Sequence, residues 1–278
     1  MPDAAPEELD SSALGPIASL CRSAVLDPPP VHELERALFA PDQPAIVRGD
    51  PAVGVVATVE GDGRGYVRLL AVAPDHRRRG VGRRLLAAAE ADALALGTRS
   101  LTTGADAPYY LWPGVDIREL GLLCLLERAK YARVETNFNM DVDLAAIPDD
   151  PGGWSVADSG ARVELAAWCD RYWANWRAEM LRALDQDGLV MTRDADGIAA
   201  VCAYDVNREG LVGPVAARHD LLGKGAGVAA LLGALHRIRT AGRTHVEIGW
   251  VGPIVPYARV GAKVGRVFFV YRKELTAP

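Results

Sequence analysis

The chain has 278 residues, of which 50% are apolar and 6% aromatic, and its formal net charge at pH 7 is −5. This length suits one large domain or two of ordinary size, with a core built mostly of Ala, Val and Leu. The acidic charge balance argues against a general nucleic-acid binder. No apolar run approaches the roughly 18–20 residues of a membrane span and no signal peptide is recognisable, so we expect a cytoplasmic protein without a membrane partner.

The four cysteines of the chain are widely separated. No pair of them has the spacing of a metal site or of a redox motif, and a disulfide framework is unusual at this length. We therefore expect free thiols in a reducing compartment and no bound metal. The cysteines are Cys21, Cys124, Cys169 and Cys202.

The first half of the chain alternates helical and β-branched segments. Three prolines, Pro28 to Pro30, separate two short predicted helices. Two β-branched runs on either side of a turn rich in Gly and Asp predict a hairpin. An alanine-rich segment that ends at Gly97 predicts a long helix. The predicted helices are 14–25, 31–39, 81–96 and 118–128, and the predicted strands are 53–59, 66–72, 100–103 and 131–144.

The second half repeats this order after a Pro-, Asp- and Gly-rich segment, 148–153, which has the composition of a linker. We interpret the repeat as an internal duplication and predict an α+β fold with two domains, residues 1–147 and 148–278. The second half is expected to contain helices at 162–184 and 228–239, a short helix from 256, and strands at 188–192, 198–205, 211–215, 244–248 and 264–272.

A loop rich in arginine and glycine joins the strand that ends at Val72 to the helix that begins at Val81. Its glycines allow backbone N–H groups to converge, and the helix N-terminus adds its positive dipole end, which predicts a pyrophosphate site. The alternative is an ordinary turn with solvated arginines. The loop matches neither GxxxxGK[ST] nor GxGxxG, which excludes a P-loop and a dinucleotide fingerprint. Five arginines would add charge-assisted contacts, namely Arg77, Arg78, Arg79, Arg83 and Arg84.

The run Leu70-Ala71-Val72, followed by Arg77-x-x-Gly80-x-Gly82, resembles motif A of the GNAT N-acetyltransferase superfamily. The resemblance implies acetyl-CoA as co-substrate. The backbone of the three strand residues would pair with the pantetheine arm, and the loop would hold the pyrophosphate through Arg78, Arg79, Gly80, Val81, Gly82 and Arg83.

The second half has matching segments in the same two places. The tandem order resembles that of mycothiol synthase and related double-GNAT proteins, which implies two GNAT-like domains, each a mixed, mostly antiparallel sheet flanked by helices. The local positive charge of the second loop comes from a single lysine. The matching residues are Val215, Ala216 and Ala217 in the strand and Gly223, Lys224, Gly225, Ala226, Gly227 and Val228 in the loop.

The same family often places a tyrosine in the helix after the fifth strand, where it assists the departing thiolate. At that position the first half has Leu126 and the second half has Tyr257. A phenol with a pKa near 10 is a weaker acid than a thiol near 8.5, so Tyr257 would act mainly through a hydrogen bond. The alternative role of Tyr257 is packing in a core or interface.

The attacking amine also requires a proton acceptor. Glu247, on a predicted strand, is the first candidate for this base, and Asp205 is the second. For each of them, and for His245, a surface charge or polar residue is the alternative. The helix that carries Trp168, Tyr172, Trp173 and Trp176 either lines an acceptor pocket or packs in the core.

These patterns predict an N-acetyltransferase that transfers acetyl from acetyl-CoA to a small-molecule or peptide amine by direct attack. The second half is the better candidate for the chemistry. One alternative is a non-catalytic acyl-CoA-binding module or structural pseudo-acetyltransferase, and another places catalysis in the first half. We expect a monomer or homodimer that binds no nucleic acid.

Overall fold

The structure is a computed structural model, and it describes residues 6–276. The chain divides into two compact units. The first contains the residues up to Asn137 together with those from Val267 onward, and the second contains Phe138–Arg266. Each unit is a sheet with helices on both of its faces.

The elements follow one another in chain order. The strands are β1 Glu8–Leu9, β2 Ile46–Asp50, β3 Gly54–Gly61, β4 Arg64–Val72, β5 Ser100–Thr103, β6 Val115–Asp116, β7 Ala132–Asp143, β8 Trp154–Val156, β9 Leu189–Asp194, β10 Gly197–Tyr204, β11 Leu211–Ala217, β12 His245–Ile248 and β13 Lys263–Glu274. The helices are α1 Leu14–Ala24, α2 Val31–Phe39, α3 Val81–Ala95, α4 Leu120–Arg128, α5 Arg162–Tyr172, α6 Arg177–Asp185, α7 Ala226–Thr240 and α8 Ile254–Ala258.

The sheet of the first unit has the order β1-β2-β3-β4-β5-β13, and β6 also pairs with β13. Its pairs are antiparallel except for β4 and β5, which are parallel. Alternate residues of β3 and β4 face two separate cores, as the period of a strand requires. One core packs against α1 and α2 and contains Leu34 and Leu69. The other packs against α3 and α4 and contains Leu85 and Leu126.

The sheet of the second unit has the order β7-β12-β11-β10-β9-β8, with β11 and β12 as its parallel pair. It also separates two cores. Val246, Ile248 and Tyr257 lie in the core that packs against α7. The opposite core packs against α5 and α6 and contains Leu165 and Met180. The sheets confirm the predicted α+β class.

Corresponding parts of the two halves share local geometry. Asp10 and Asp158 each cap a 3-10 turn by accepting a hydrogen bond from a backbone N–H two residues on, before α1 and α5. Both α3 and α7 have 15 residues and begin after a glycine in the left-handed region. In α2 and α6 the sequence Glu-x-x-Arg-Ala-Leu recurs, with a buried glutamate in each. These matches support an internal duplication.

The last strand of each half completes the sheet of the other half. β7, which closes the first half in the chain, pairs with β12 from His245–Asp143 to Ile248–Met140. β13, which closes the second half, pairs with β5 from Arg272–Thr102 to Glu274–Ser100. The compact units therefore divide within these two strands. The division at 147 and 148 stays a prediction about the duplicated halves along the chain.

Candidate active site

In the first unit, β4 and β5 pair over only three residues and then separate. Their parallel pairs run from Gly65–Leu101 to Val67–Thr103. In the pairing with β3, Thr58 lies opposite Val67 and Ala57 opposite Leu69, so Arg68 is an extra residue on β4. A bulge of this kind bends the strand. Leu70, Ala71 and Val72 lie beyond the last pair with β5, where the edge of β4 is open.

The second unit repeats this separation between β11 and β12. Their parallel pairs are Leu211–Glu247 and Val212–Ile248. The register with β10 shifts between Cys202–Val215 and Tyr204–Val212, which places a bulge at Gly213 and Pro214. Val215, Ala216 and Ala217 continue past the end of the pairing, as their predicted counterparts do in the first unit.

The last carbonyl of each open strand already accepts a hydrogen bond from a side chain. Arg77 Nε donates to Val72 O at 3.2 Å, and Arg77 Nη2 donates to Ala24 O at 2.8 Å. Trp173 Nε1 donates to Ala217 O at 2.7 Å. Arg77 therefore connects the loop to the end of α1, a structural role that differs from the phosphate contact expected from its position in the arginine cluster.

The first loop presents backbone N–H groups at the start of α3. Arg78 and Gly80 have φ of 62° and 82°, and Gly80 is the N-cap without a side-chain capping bond. The first helical hydrogen bond runs from Arg84 N to Gly80 O at 3.1 Å, so the amides of Val81, Gly82 and Arg83 precede it. The side chains of Arg78, Arg79 and Arg83 are exposed. This arrangement suits an anion at a helix N-terminus.

The second loop has the same backbone geometry. Gly223 and Gly225 have φ of 76° and 97°, and Gly225 is the N-cap of α7. The first helical hydrogen bond runs from Ala229 N to Gly225 O at 3.0 Å, which places the amides of Ala226, Gly227 and Val228 before it. Lys224 is exposed and takes the place of Arg79. The anion-binding geometry is thus retained while most of the positive side-chain charge is not.

Leu126 and Tyr257 occupy equivalent positions, as the sequence comparison of the halves predicted. Leu126 O accepts from Tyr131 N at 3.0 Å, and Tyr257 O accepts from Ala262 N at 3.1 Å. Leu126 is 0% exposed and Tyr257 is 8% exposed. Burial raises the pKa of Tyr257 to about 12, and the neighbouring Cys202 adds to this increase.

Glu247 lies on β12 with its side chain held by two neighbours. Asn139 Nδ2 donates to Glu247 Oε1 at 2.8 Å, and Arg266 Nη1 lies 3.6 Å from Glu247 Oε2. Val246 and Ile248 face the α7 core together with Tyr257, so strand alternation directs Glu247 to the opposite face. Tyr257 and Glu247 therefore lie on opposite faces of the sheet.

Asp205, the second candidate base, has a structural role in a turn. It has φ of 59°, and its Oδ1 accepts from Gly210 N and from Arg243 Nη1, each at 2.7 Å. His245 is exposed at the start of β12. Of the three polar candidates on or beside these strands, Glu247 is the one next to the point where β11 and β12 separate.

Two polar features near the separated strands were not found from the sequence. Asn139 lies on β7, far from Glu247 along the chain, and only the strand pairing brings them together. Arg68, the bulge residue of β4, forms a buried ion pair with Asp106 just beyond β5. Burial raises the pKa of Asp106, and Arg68 opposes that shift. The available signal in the sequence was a single arginine within an apolar predicted strand.

Within residues 6–276, no cluster of three or more His, Cys, Asp or Glu side chains is arranged to hold a metal ion. None of the helices in the same range is long and apolar enough to cross a membrane.

Two separating parallel strands, with a glycine-capped helix N-terminus after the first of them, define the GNAT acyltransferase fold. Residues 14–109 match the Acetyltransferase (GNAT) family. This segment therefore corresponds to a GNAT acetyltransferase domain, and the match supports GNAT-type N-acyltransferase activity. No curated protein matches the chain in sequence.

Solved structures with the same fold cover both halves. A GCN5-related glucosamine N-acetyltransferase region of a fungal multi-domain GH3 β-N-acetylglucosaminidase is 19% identical, with a TM-score of 0.77 over 96% of this chain and 38% of that chain. A GCN5-related N-acetyltransferase from Sphaerobacter thermophilus is 19% identical, with a TM-score of 0.70 over 98% and 95%. A tandem GNAT protein from the clavulanic acid biosynthesis pathway is 17% identical, with a TM-score of 0.68 over 98% of each chain.

Proposed function

We propose that the protein is an acetyl-CoA-dependent N-acetyltransferase that acts on a small-molecule or peptide amine by direct attack. The observation that carries this proposal is the position of Tyr257 and Glu247 on opposite faces of the sheet, beside the gap between β11 and β12. A thioester in that gap would meet a proton acceptor on one face and a hydrogen-bond donor on the other.

Acetyl-CoA would bind along the open strands and the loops that follow them. In the first unit, the pantetheine would pair with Leu70, Ala71 and Val72, and the pyrophosphate would contact Arg78, Arg79, Gly80, Val81, Gly82 and Arg83. In the second unit the corresponding groups are those of Val215, Ala216, Ala217 and of Gly223, Lys224, Gly225, Ala226, Gly227 and Val228. Because the first loop carries more exposed positive side chains, we expect it to bind the cofactor more tightly.

In the reaction, a protonated amine first transfers one proton to the Glu247 carboxylate. The carboxylate then passes this proton to water. The neutral nitrogen attacks the acyl carbon, the carbon–nitrogen bond forms, and the carbon–sulfur bond breaks with its electron pair on sulfur. The nitrogen releases its second proton, and the thiolate takes one up. One amide, one free thiol and one proton are the net products.

Tyr257 would support this step as a hydrogen-bond donor. With the pKa of the phenol at about 12 and that of a thiol near 8.5, full proton transfer to the thiolate is unfavourable by ~5 kcal/mol. A hydrogen bond that strengthens as charge develops on sulfur needs no such transfer. The first unit has Leu126 in this position, so we assign it cofactor binding.

The test is thiol release from acetyl-CoA over a panel of amines. We expect Tyr257→Phe to lower kcat by about 10²-fold, as for loss of one donor to a developing anion. Tyr66→Phe, which removes a hydroxyl from β4 of the first unit, is the matched control and should retain activity. Full activity in Tyr257→Phe would move the chemistry away from the second unit.

The second candidate function is a non-catalytic acyl-CoA-binding module. The fully buried Leu126 and the largely buried phenol of Tyr257 favour it. This function would be supported if no amine in the panel causes thiol release while calorimetry shows that acetyl-CoA binds. We also propose a cytoplasmic location, because all four cysteines are free thiols, as in a reducing compartment.

A further inference from the structure

Two tryptophans and a carboxylate share one face of the second unit. Trp176, in the turn before α6, and Trp250, just after β12, have ring centroids 5.8 Å apart and planes at 86°. Trp176 packs beside the core under α5 and α6, which is the face opposite Tyr257. Glu247 points to this same face. Both tryptophans are partly exposed.

The side chain of Asn139 connects the backbone of Trp250 to the carboxylate of Glu247. Its Oδ1 accepts from Trp250 N at 2.8 Å, and its Nδ2 donates to Glu247 Oε1 at 2.8 Å. Asn139 is 2% exposed. Because both ends of this buried amide are hydrogen-bonded, Asn139 fixes the distance between the backbone of Trp250 and the carboxylate of Glu247. The three residues therefore form one hydrogen-bonded group.

The backbone of Trp250 is in an unfavourable region for its side chain. Its φ is 47°, in the left-handed region, and the equivalent residue of the first unit is Ala105 with φ of 58°. Bulky residues rarely adopt this conformation, whereas glycine or asparagine adopts it at little cost. Strained positions of this kind concentrate at functional sites. Both units have this conformation, and in the second unit the residue is a tryptophan whose ring contacts Trp176.

The charges around the rings favour a cation. Asp141 lies directly across from Glu247 in the β7–β12 register and faces the same side. Arg266, with a side chain 18% exposed, balances one of the two carboxylates through its 3.6 Å contact with Glu247. Indole faces attract ammonium groups, and nearby carboxylates repel anions.

We propose that this face is the acceptor site, and that the acceptor is an alkylammonium. Its cationic nitrogen lies against the indoles of Trp250 and Trp176 and beside Glu247. This inference rests on the proposed function, because the bound cation is an acceptor only if the protein is an acetyltransferase. Glu247 then serves first as the counter-ion and next as the group that receives the proton before attack on the acyl carbon.

Tetramethylammonium is the direct probe, because it is a permanent cation with no N–H to acylate. We expect it to shift the Trp250 and Trp176 indole resonances and to inhibit acetylation of alkylamines competitively. Trp250→Leu and Glu247→Gln should each weaken its binding by about fivefold to tenfold. Trp250→Phe should restore part of the loss, because it keeps an aromatic face. Trp112→Leu, in the first unit, is the control and should bind normally.

The uncharged isostere 3,3-dimethylbutan-1-ol separates charge from shape. Equal binding of this alcohol and of tetramethylammonium, or unchanged cation binding in Trp250→Leu, overturns the inference even if amines are acetylated. If Trp250→Leu does not fold, Trp250→Phe, Trp176→Leu and Glu247→Gln decide the question. If cation binding depends on these residues but no amine causes thiol release, the cation site is supported and the proposed acetyltransferase function is rejected.

Discussion

Glu179 shows how a single residue sets a pH response in this fold. It lies on α6, is 1% exposed, and accepts a hydrogen bond from Asn207 Nδ2 at 2.5 Å. Its Oε2 has no hydrogen-bond partner within residues 6–276. Burial raises the pKa of Glu179 to about 8, an increase that Arg182 and Asn207 oppose. Glu33 is also buried, at the corresponding position of the Glu-x-x-Arg-Ala-Leu sequence in α2.

The raised pKa of Glu179 predicts lower stability at higher pH. An acid whose folded-state pKa lies above its unfolded value of 4.5 contributes stability that is fully present below pH 4.5 and is lost as pH rises through about 8. We expect the free energy of unfolding to fall by about 3–5 kcal/mol between about pH 5 and 8. Urea unfolding at both pH values measures this change.

Glu179→Gln should remove most of that pH dependence, because an amide carries no charge to bury. Glu135→Gln, on the exposed part of β7, is the matched control and should keep the wild-type slope. An unchanged slope in Glu179→Gln would show that Glu179 is ionised in the folded protein at neutral pH.

At the scale of elements, Leu125 on α4 packs close to Gly82 at the start of α3. A Cβ at Gly82 would lie 3.0 Å from Leu125 Cδ2, so a side chain there would require the Leu125 side chain to shift. At the equivalent Gly227 the nearest atom would lie at 3.9 Å, which is ordinary contact. The first loop therefore has a closer side-chain neighbour at this glycine than the second loop has.

Gly82→Trp should weaken acetyl-CoA binding by more than about tenfold, because the indole both displaces Leu125 and covers amides that would hold the pyrophosphate. Calorimetry with acetyl-CoA measures the change. Gly121→Ala, on α4 with open space around it, controls for substitution of a glycine in this region. Wild-type affinity in folded Gly82→Trp would exclude the first loop as the main cofactor site.

One helix predicted from the sequence pattern is divided in the structure. We predicted one helix over 162–184, but the chain forms α5 and α6 with a 3-10 turn between them. The break is at Trp173, with φ of −148°, whose indole N–H donates to Ala217 O. No proline or glycine marks this break. A tertiary hydrogen bond decides it, and the same turn brings Trp176 to Trp250.

At the scale of the whole molecule, the exchanged strands link the stability of the two halves. Phe268 on β13 is 0% exposed and belongs to the first unit, although it lies near the C-terminal end of the chain. A Cβ at Gly114 would approach Phe268 Cβ at 3.2 Å, which shows how closely β13 packs there.

Phe268→Ala should destabilise the first unit by about 3–5 kcal/mol, the usual cost of truncating a buried phenylalanine. Hydrogen exchange of the Leu101 to Thr103 amides, on the strand that pairs with β13, reports this loss locally. Val264→Ala is the control, because Val264 lies on the same strand and is 56% exposed. Unaltered protection in Phe268→Ala would contradict a role for β13 in stabilising the first unit.

The sequence alone was sufficient to predict the features that depend on neighbouring residues. Glycine-rich loops, the apolar strands before them and the periodic helices after them are local features, so the loop from Arg78 to Arg83 and its counterpart near Lys224 could be located. The equivalence of Leu126 and Tyr257 was implied by the resemblance of both halves to one family, which places a tyrosine in the helix after the fifth strand.

Only the tertiary structure decided the features that depend on distant pairing. Strand pairing across more than 100 residues brings Asn139 to Glu247, and it places the second part of β7 in the second unit and the second part of β13 in the first unit. It also gives Arg77 a structural partner in Ala24. Side-chain periodicity shows which face of a strand is buried but not which strand lies beside it, because many pairings satisfy the same local pattern.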